Sequence, residues 1–260
     1  MLSTTPIPVV APPVLTATLD EKLAVFKDPR FRFEPGPHRY FLGERELTSA
    51  TSWLKQFSEP FMREERAAAM EAKYGNPAQH YLDEWDRAAD IGTKTHQFIE
   101  DYYNHQLGLA ISPPPLLHGD GEISLRALKF LELATGRLVD LEPVGQELRL
   151  FNEAWGVCGT LDFLARHKPS GKLFIVDWKT SKKIATDQDK IWRNLKGPFA
   201  DLADHEHNKY SLQISLYRVI LEEAGIETAG GAIAWLPTGT TAPALVPAID
   251  YRARVRALLV

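Results

Sequence analysis

Two apolar segments in the second half of the chain predict a β-hairpin. Residues 156–165 and 173–178 are rich in β-branched and aromatic side chains, and the polar segment 167–171 separates them. Short apolar runs bounded by Pro and Gly are typical of strands rather than of helices. We therefore expect two antiparallel strands joined by a turn.

Each strand of this predicted hairpin carries charge inside its apolar run. Asp162 lies in the first strand, and Asp177 and Lys179 lie in the second. Because successive side chains of a strand point to opposite faces, Asp177 and Lys179 are expected on one face and Trp178 on the other. A charge in an apolar strand has to be paired, coordinated or neutralised. The two carboxylates and the ammonium group therefore predict either a site for a divalent metal and an activated water or an ordinary ion pair.

The pattern of apolar positions and capping residues also predicts helices and strands on both sides of the hairpin. Helices are predicted at 49–57 with Thr48 or Ser49 as the cap, at 60–74, at 77–104 with Asn76 as the cap, at 122–135, at 206–225 and at the C-terminus through Leu259. Further strands are predicted at 30–34, 38–42, 144–150, 230–236 and 244–249. The order α-β-β-β-α-β, with extra helices in front, predicts an α/β fold with a central mixed sheet flanked by helices.

Three of these elements carry further polar residues of interest. His96 and Glu100 are one helical turn apart in the 77–104 helix, and Gln213 and Tyr217 have the same spacing in the 206–225 helix. Glu147 lies in the strand before the hairpin. Taken singly, these residues also fit ordinary roles on a helix face, on a solvated strand or in amphipathic packing.

The order of the motifs resembles the RecB-type branch of the PD-(D/E)xK nuclease superfamily. A helix with G-T-x-x-H-x-x-x-E is followed by a strand with E, a strand with G-T-x-D, a strand with D-x-K and a helix with Q-x-x-x-Y. Leu161 stands where proline often precedes the aspartate. The resemblance implies a restriction-endonuclease-like core behind an N-terminal helical lobe. The matching residues are Gly92, Thr93, His96, Glu100, Glu147, Gly159, Asp162, Asp177, Lys179, Gln213 and Tyr217.

The resemblance also implies a metal site. Asp162, Asp177 and the backbone carbonyl of Trp178 would bind one or two Mg²⁺ or Mn²⁺ ions. His96 would be a nitrogen ligand or would contact the scissile phosphate.

The same resemblance implies supporting roles in the reaction for other residues. Lys179 would position the attacking water. Gln213 would brace the site beside the lysine, and Tyr217 would support the helix or touch a phosphate. Glu147 or Glu100 would hold a second cation or a water.

The implied activity is that of a metal-dependent DNA exonuclease in phage or bacterial DNA replication, recombination or repair. A structure-specific or restriction-like endonuclease and a catalytically inactive DNA-binding subunit remain alternatives. The partner would be DNA, as single strands or duplex ends, together with a strand-annealing or replication protein.

Composition narrows the remaining possibilities. The 260 residues are 44% hydrophobic, enough for one substantial core. Cys158 is the only cysteine, which excludes disulfides within the chain and a four-cysteine iron–sulfur cluster, and we expect it to be buried. The sequence shows no apolar run near ~18 residues and no leader pattern, so we expect no membrane segment and a cytoplasmic location.

The net charge of −4 does not exclude a nucleic-acid partner, because a global sum mixes the acidic site with other surfaces. Basic residues are concentrated just after Asp177, in a segment that would either follow phosphates or form an ordinary solvated loop. Trp178 and Trp192 would stack bases if they are exposed. The candidate DNA-binding residues of this segment are Lys182, Lys183, Lys190, Arg193 and Lys196.

The chain is expected to divide into a tail and one domain. Residues 1–18 contain four prolines and no charge, which predicts a tail that is flexible or docked on a partner. Residues 19–260 would form a single nuclease domain, with a hairpin and helical lobe at 19–135 and the catalytic sheet core at 136–260. The lobe would arch over the site, with Lys55, Arg63, Arg66, Lys73, Trp53 and Trp85 as candidate contacts.

Overall fold

The computed structural model describes residues 17–117, 119–186 and 188–259. Its helices are α1 (Leu19–Leu23), α2 (Ala50–Lys55), α3 (Arg63–Tyr74), α4 (Ala78–Gln106), α5 (Gly121–Thr135), α6 (Glu206–Glu223) and α7 (Arg252–Arg256). Its strands are β1 (Phe31–Glu34), β2 (Arg39–Leu42), β3 (Arg45–Ser49), β4 (Leu141–Asn152), β5 (Val157–His167), β6 (Leu173–Lys179), β7 (Gly230–Trp235) and β8 (Ala244–Pro247). The predicted tail lies outside the described residues up to position 16.

The described strands form one mixed sheet. The order is β1-β2-β3-β5-β6-β7-β8, and β4 pairs with β5. The β3–β5 and β6–β7 pairs are parallel, and the other pairs are antiparallel. Helices flank this eight-stranded sheet, which confirms the predicted α/β fold with a central mixed sheet.

Strand β5 has an opening along one edge. On one side β4 pairs with β5 from Val157 to His167. On the other side β3 pairs only with Val157 and Cys158, and β6 pairs with β5 only from Phe163 to Arg166. Residues 159–162 therefore face a gap in the ladder, where side chains rather than a neighbouring strand meet the backbone.

Helices cover the two faces of the sheet with separate apolar clusters. On one face α4 and α5 bring Phe98 and Phe130 against Phe163 and Trp178. On the other face α6 and α2 pack against strand residues such as Ile175. Asp177 and Lys179 alternate with Trp178 along β6, so they share the face of Ile175 and α6.

Several element boundaries differ from the prediction. Helix α4 begins at Ala78 with Pro77 as its N-cap, one residue later than expected, and α3 begins at Arg63 rather than at Pro60. Ser49 caps α2, one of the two predicted caps. His205 is the N-cap of α6.

Helix α1 and strand β3 were among the elements that were not predicted. Helix α1 is closed by a capping box in which Thr18 and Glu21 bond each other's backbone, so the expected tail ends before Thr18. Strand β3 turns the predicted N-terminal hairpin into a three-stranded meander, and its short parallel pairing with β5 joins this meander to the main sheet.

Cys158 is fully buried in the cluster formed by the N-terminal strands, as expected. Burial raises the pKa of its thiol to about 12. None of the described helices has the length and apolar character needed to cross a membrane.

Candidate metal and active site

The site forms where β5 and β6 separate. Backbone pairing of the two strands ends at Phe163 and Val176. Beyond that point the carboxylate of Asp162 replaces a strand neighbour, because its Oδ2 accepts a hydrogen bond of 2.8 Å from the backbone N–H of Trp178. Asp162 is thereby fixed at the gap in the ladder.

Helix α4 brings His96 to the same point. Gly92, one turn earlier, faces the end of β6, where an added Cβ would lie only 3.3 Å from Oγ1 of Thr180. Nε2 of His96 lies 3.1 Å from the carbonyl oxygen of Trp178. A carbonyl oxygen can only accept a hydrogen bond, so this contact requires the proton to be on Nε2. In the neutral ring, Nδ1 then carries a lone pair that is available to another partner.

The other ring nitrogen of His96, Nδ1, faces two carboxylates. Nδ1 is 3.8 Å from Oε1 of Glu147 and 3.8 Å from Oδ2 of Asp162. Burial by itself lowers the pKa of His96, but the negative charges of Asp162 and Glu147 outweigh burial, so that the pKa is raised.

Glu147 reaches this group through an unusual backbone conformation. Its φ is 45°, in the left-handed region that non-glycine residues rarely adopt. The β4–β5 ladder pairs Gln146 with Phe163 and Leu148 with Leu161 but omits the position between them, where Glu147 lies opposite Asp162. Strain of this kind is often found at functional sites.

His96, Glu147 and Asp162 form a group suited to a metal ion. One ligand atom from each lies within 4.8 Å of the others. One imidazole nitrogen and two carboxylates suit divalent ions such as Mn²⁺, and carboxylates in particular suit Mg²⁺. Glu147, expected at most to hold a second ion, belongs to this group, whereas Asp177 does not.

Asp177 is buried beside this group, and hydrogen bonds do not fully compensate the burial of its carboxylate. Its side chain is almost inaccessible, and neither carboxylate oxygen accepts a well-directed hydrogen bond from the described residues. Burial, and repulsion from Asp162, raise the pKa of Asp177, although the nearby Lys179 acts in the opposite direction. A buried carboxylate lacking such bonds is costly, which fits a residue that completes its coordination with a cation.

Lys179 lies against Asp177, as the strand alternation predicted. Its Nζ is 2.7 Å from Oδ2 of Asp177 and 4.9 Å from the ring centroid of Tyr210 on α6. Burial lowers the pKa of Lys179, but the charges of Asp177 and Asp162 more than offset burial and raise it. Lys179 is therefore a cation at neutral pH.

Gln213 and Tyr217 lie on α6 behind the site. Nε2 of Gln213 donates a hydrogen bond of 3.0 Å to the hydroxyl of Tyr217, which is buried. The Tyr217 ring also explains Gly159, because a Cβ at position 159 would lie 2.7 Å from Cε1 of this ring. The two residues thus connect α6 to the gap in β5.

Glu100 lies outside the His96, Glu147 and Asp162 group. Burial, followed by repulsion from Glu147 and Asp101, raises the pKa of Glu100. Its carboxyl group is therefore a neighbour of the group rather than a member of it.

Trp178 and Trp192 differ sharply in exposure. Trp178 is 2% exposed and packs edge-on against Phe130, so the idea that it stacks bases is wrong. Trp192 is 79% exposed, and Nζ of Lys190 lies 4.2 Å from its ring centroid.

The five candidate DNA-binding residues after Asp177 are all exposed. Two of them form ion pairs, Lys183 with Asp189 and Lys196 with Glu59. Their charges are therefore partly compensated in the free protein.

The candidate substrate contacts of the helical lobe differ in their exposure and in their partners. Trp53 is 6% exposed and belongs to the apolar core, which contradicts its assignment as a substrate contact. Arg63 is paired with Asp86 and also donates to the carbonyl of Leu82. Trp85 is half-buried, 5.1 Å from the ring of the exposed Phe61.

Two supporting residues were missed in the sequence. Arg126 is buried in α5, where it is ion-paired with Glu122, and it donates a 3.1 Å hydrogen bond to the carbonyl of Thr180 at the end of β6. Tyr210 covers Lys179. The available signals were an arginine on the apolar side of α5 and a tyrosine one turn before Gln213.

Comparison with known proteins gives the family. No curated protein matches the chain significantly. Residues 65–257, most of the chain and all of the site described above, match the family model of a nuclease superfamily. The chain therefore belongs to the PD-(D/E)XK nuclease superfamily.

Proposed function

We propose that this protein is a metal-dependent DNA exonuclease of the RecB-type branch of its superfamily. Superfamily membership implies a metal-dependent phosphodiesterase with a nucleic-acid substrate. The observation that carries the proposal is the His96, Glu147 and Asp162 group beside the buried Asp177 and Lys179.

The metal-binding part of the proposal assigns these side chains to Mg²⁺ or Mn²⁺, as one or two ions. Nδ1 of His96 and the carboxylates of Glu147 and Asp162 supply one ligand set. The oxygens of Asp177 and the remaining lone pair of the Trp178 carbonyl are further ligands. Bound there, a divalent cation supplies charge neutralisation at the phosphate and a more acidic water.

Lys179 is assigned the positioning of the attacking water. As a cation it donates hydrogen bonds, which orients a water oxygen and stabilises negative charge that develops on the phosphoryl group. Gln213 braces the site, and Tyr217 fixes α6 against β5. Attack of the water on the phosphodiester would leave a 5′-phosphate and a 3′-hydroxyl.

The exposed basic segment after β6 is assigned to the DNA backbone. Its cations begin immediately after the site, which favours phosphate contacts near the cleaved bond. Trp192 adds an exposed ring on which an unpaired base can stack. These features support single strands or frayed duplex ends as the substrate.

We also propose that residues 19–260 act as one nuclease domain, with the helices of residues 19–135 guiding a strand to the site. Guidance of a threaded strand favours exonuclease over endonuclease activity. Replication, recombination or repair of phage or bacterial DNA, with a strand-annealing or replication protein as partner, is the proposed setting.

Cleavage of matched linear and circular DNA tests the proposal. The wild-type protein is incubated with Mg²⁺ or Mn²⁺, and Lys179→Ala and a chelated sample serve as controls. Degradation of linear DNA alone supports an exonuclease, and nicking of circles instead supports the endonuclease alternative. Metal-independent DNA binding without cleavage contradicts both enzymatic assignments.

A further inference from the structure

Arg149 lies on β4 two residues beyond Glu147 of the metal-binding group. At about 3.3 Å per strand residue, the two positions are about 7 Å apart. The strand partner of Arg149 is Thr160, whose hydroxyl lies 3.0 Å from that of Tyr40. The guanidinium carbon of Arg149 lies 5.1 Å from the ring centroid of Phe33. Arg149 is thus exposed where the N-terminal meander meets the site.

Other arginines around the meander have partners. Arg30 is paired with Asp28 and Glu153, Arg32 with Glu34 and Arg39 with Glu46, and Arg45 donates to the carbonyl of Glu153. Within the described residues, no carboxylate lies within ion-pair distance of Arg149. Among the residues that the structure describes, the positive charge of Arg149 therefore has no ion-pair partner.

A cavity of about 650 Å³ lies along the edge of β4 that is not covered by β5. Glu147 and Arg149 line one wall, and Asp20 and Lys27 line it from the N-terminal segment. Lys27 is exposed and has no acidic partner among the described residues. The volume lies within the range of small-molecule sites and accommodates a nucleotide-sized group.

We propose that this cavity is a phosphate subsite, in which Arg149 and Lys27 bind a phosphodiester within two nucleotides of the one that is cleaved. The inference rests on the proposed nuclease function. A guanidinium group matches two phosphate oxygens at once, and its stacking on Phe33 fixes the orientation of the fork.

The spacing identifies the phosphate that is bound. Phosphates of one duplex strand follow each other at about 3.4 Å along the helix axis, so about 7 Å corresponds to about two nucleotides. Arg149 would therefore place the substrate strand, with no part in the bond change itself.

The test compares Arg149→Ala with Arg32→Ala in steady-state cleavage of a short oligonucleotide. Arg32 is a matched control because its guanidinium also stacks on an aromatic ring, at 4.0 Å from the Phe41 centroid, but is paired with Glu34. We expect Arg149→Ala to raise KM about tenfold with kcat nearly unchanged, since a charge-assisted contact to phosphate is lost. Arg32→Ala is expected to behave like wild type.

Neutral methylphosphonate linkages, placed singly along the oligonucleotide, keep the test independent of folding. Wild type should lose affinity at one linkage within two nucleotides of the cleaved bond, and Arg149→Gln, which keeps Lys27, should lose clearly less at that linkage. Equal sensitivity of wild type and Arg149→Gln to every linkage overturns the subsite. Absence of cleavage by wild type on any unmodified DNA contradicts the proposed function instead, so the two failures are distinguishable.

Discussion

Replacing Glu147 by glutamine is expected to stabilise the metal-free protein and to weaken its stabilisation by Mg²⁺ or Mn²⁺. Glu147 and Asp162 offer ligand oxygens within 4.8 Å of each other. Two unit charges at that separation repel by about 3 kcal/mol at an effective dielectric constant of ~20. The side chain of Glu147 is 36% exposed, so solvent screening reduces the gain from its removal to about 1 kcal/mol.

The metal reverses the sign of this effect. At about 100 times Kd a bound ion stabilises the folded state by about 2.7 kcal/mol, which raises the Tm of a protein of this size by about 5–10 °C. Loss of one carboxylate ligand that weakens metal affinity at least about tenfold leaves no more than about half of that shift. Glu147→Gln should therefore melt above wild type with chelator and below it with metal.

Thermal unfolding with chelator and with increasing Mn²⁺ measures both effects. The assay is run at about pH 8.5, where His96, whose pKa is raised, carries less positive charge than at neutral pH. Glu100→Gln is the matched control, because Glu100 lies near Glu147 but outside the group. Glu100→Gln should keep the full metal-induced shift. An equal metal-induced shift in wild type and Glu147→Gln would refute the assignment of Glu147 as a ligand.

Three further predictions address the packing, charge and surface of the site. Gly159→Ala should cost about 1–3 kcal/mol in urea unfolding, because its Cβ would meet Tyr217 at 2.7 Å, whereas Gly36→Ala, with open space around it, should cost little. In the presence of chelator, the stability of the wild type should depend on the ionisation of Asp177, whose pKa is raised by burial. As the pH rises from about 4 through that raised pKa, ionisation of this buried carboxyl group should destabilise the folded protein. In urea titrations, the free energy of unfolding of Asp177→Asn relative to wild type should therefore increase across this pH window. A difference that stays constant with pH would contradict this prediction. Trp192→Ala should weaken binding of single-stranded DNA by about 1–3 kcal/mol in fluorescence anisotropy, and unchanged binding would exclude stacking.

The sequence predicted the elements whose signals are local. Strands β5 and β6 appeared as apolar runs at 156–165 and 173–178, and both were found within two residues at each end. Helix α1 was missed although Thr18 and Glu21 have capping-box spacing. Strand β3 has only five residues, and it joins the sheet through a parallel pairing with Val157 and Cys158, more than a hundred positions away. A pairing of that kind leaves no local pattern.

The candidate site was predictable in its residues but not in its geometry. Motif order pointed to His96, Asp162, Asp177 and Lys179 together. The approach of Glu147 depends on its positive φ and on the omitted strand pair, neither of which its residue type reveals. Asp177 lies outside the three-residue group and is paired with Lys179, an arrangement that the motif order alone does not reveal.

Single-turnover cleavage of end-labelled linear DNA by Lys179→Ala tests the central claim most directly. With saturating Mg²⁺ or Mn²⁺ we expect cleavage to fall at least about 100-fold, because the group that orients the attacking water is lost. DNA affinity measured in Ca²⁺ should stay close to wild type. Lys172→Ala, an exposed lysine at the opposite end of β6, is the control and should cleave normally. Cleavage by Lys179→Ala at the wild-type rate would contradict the account.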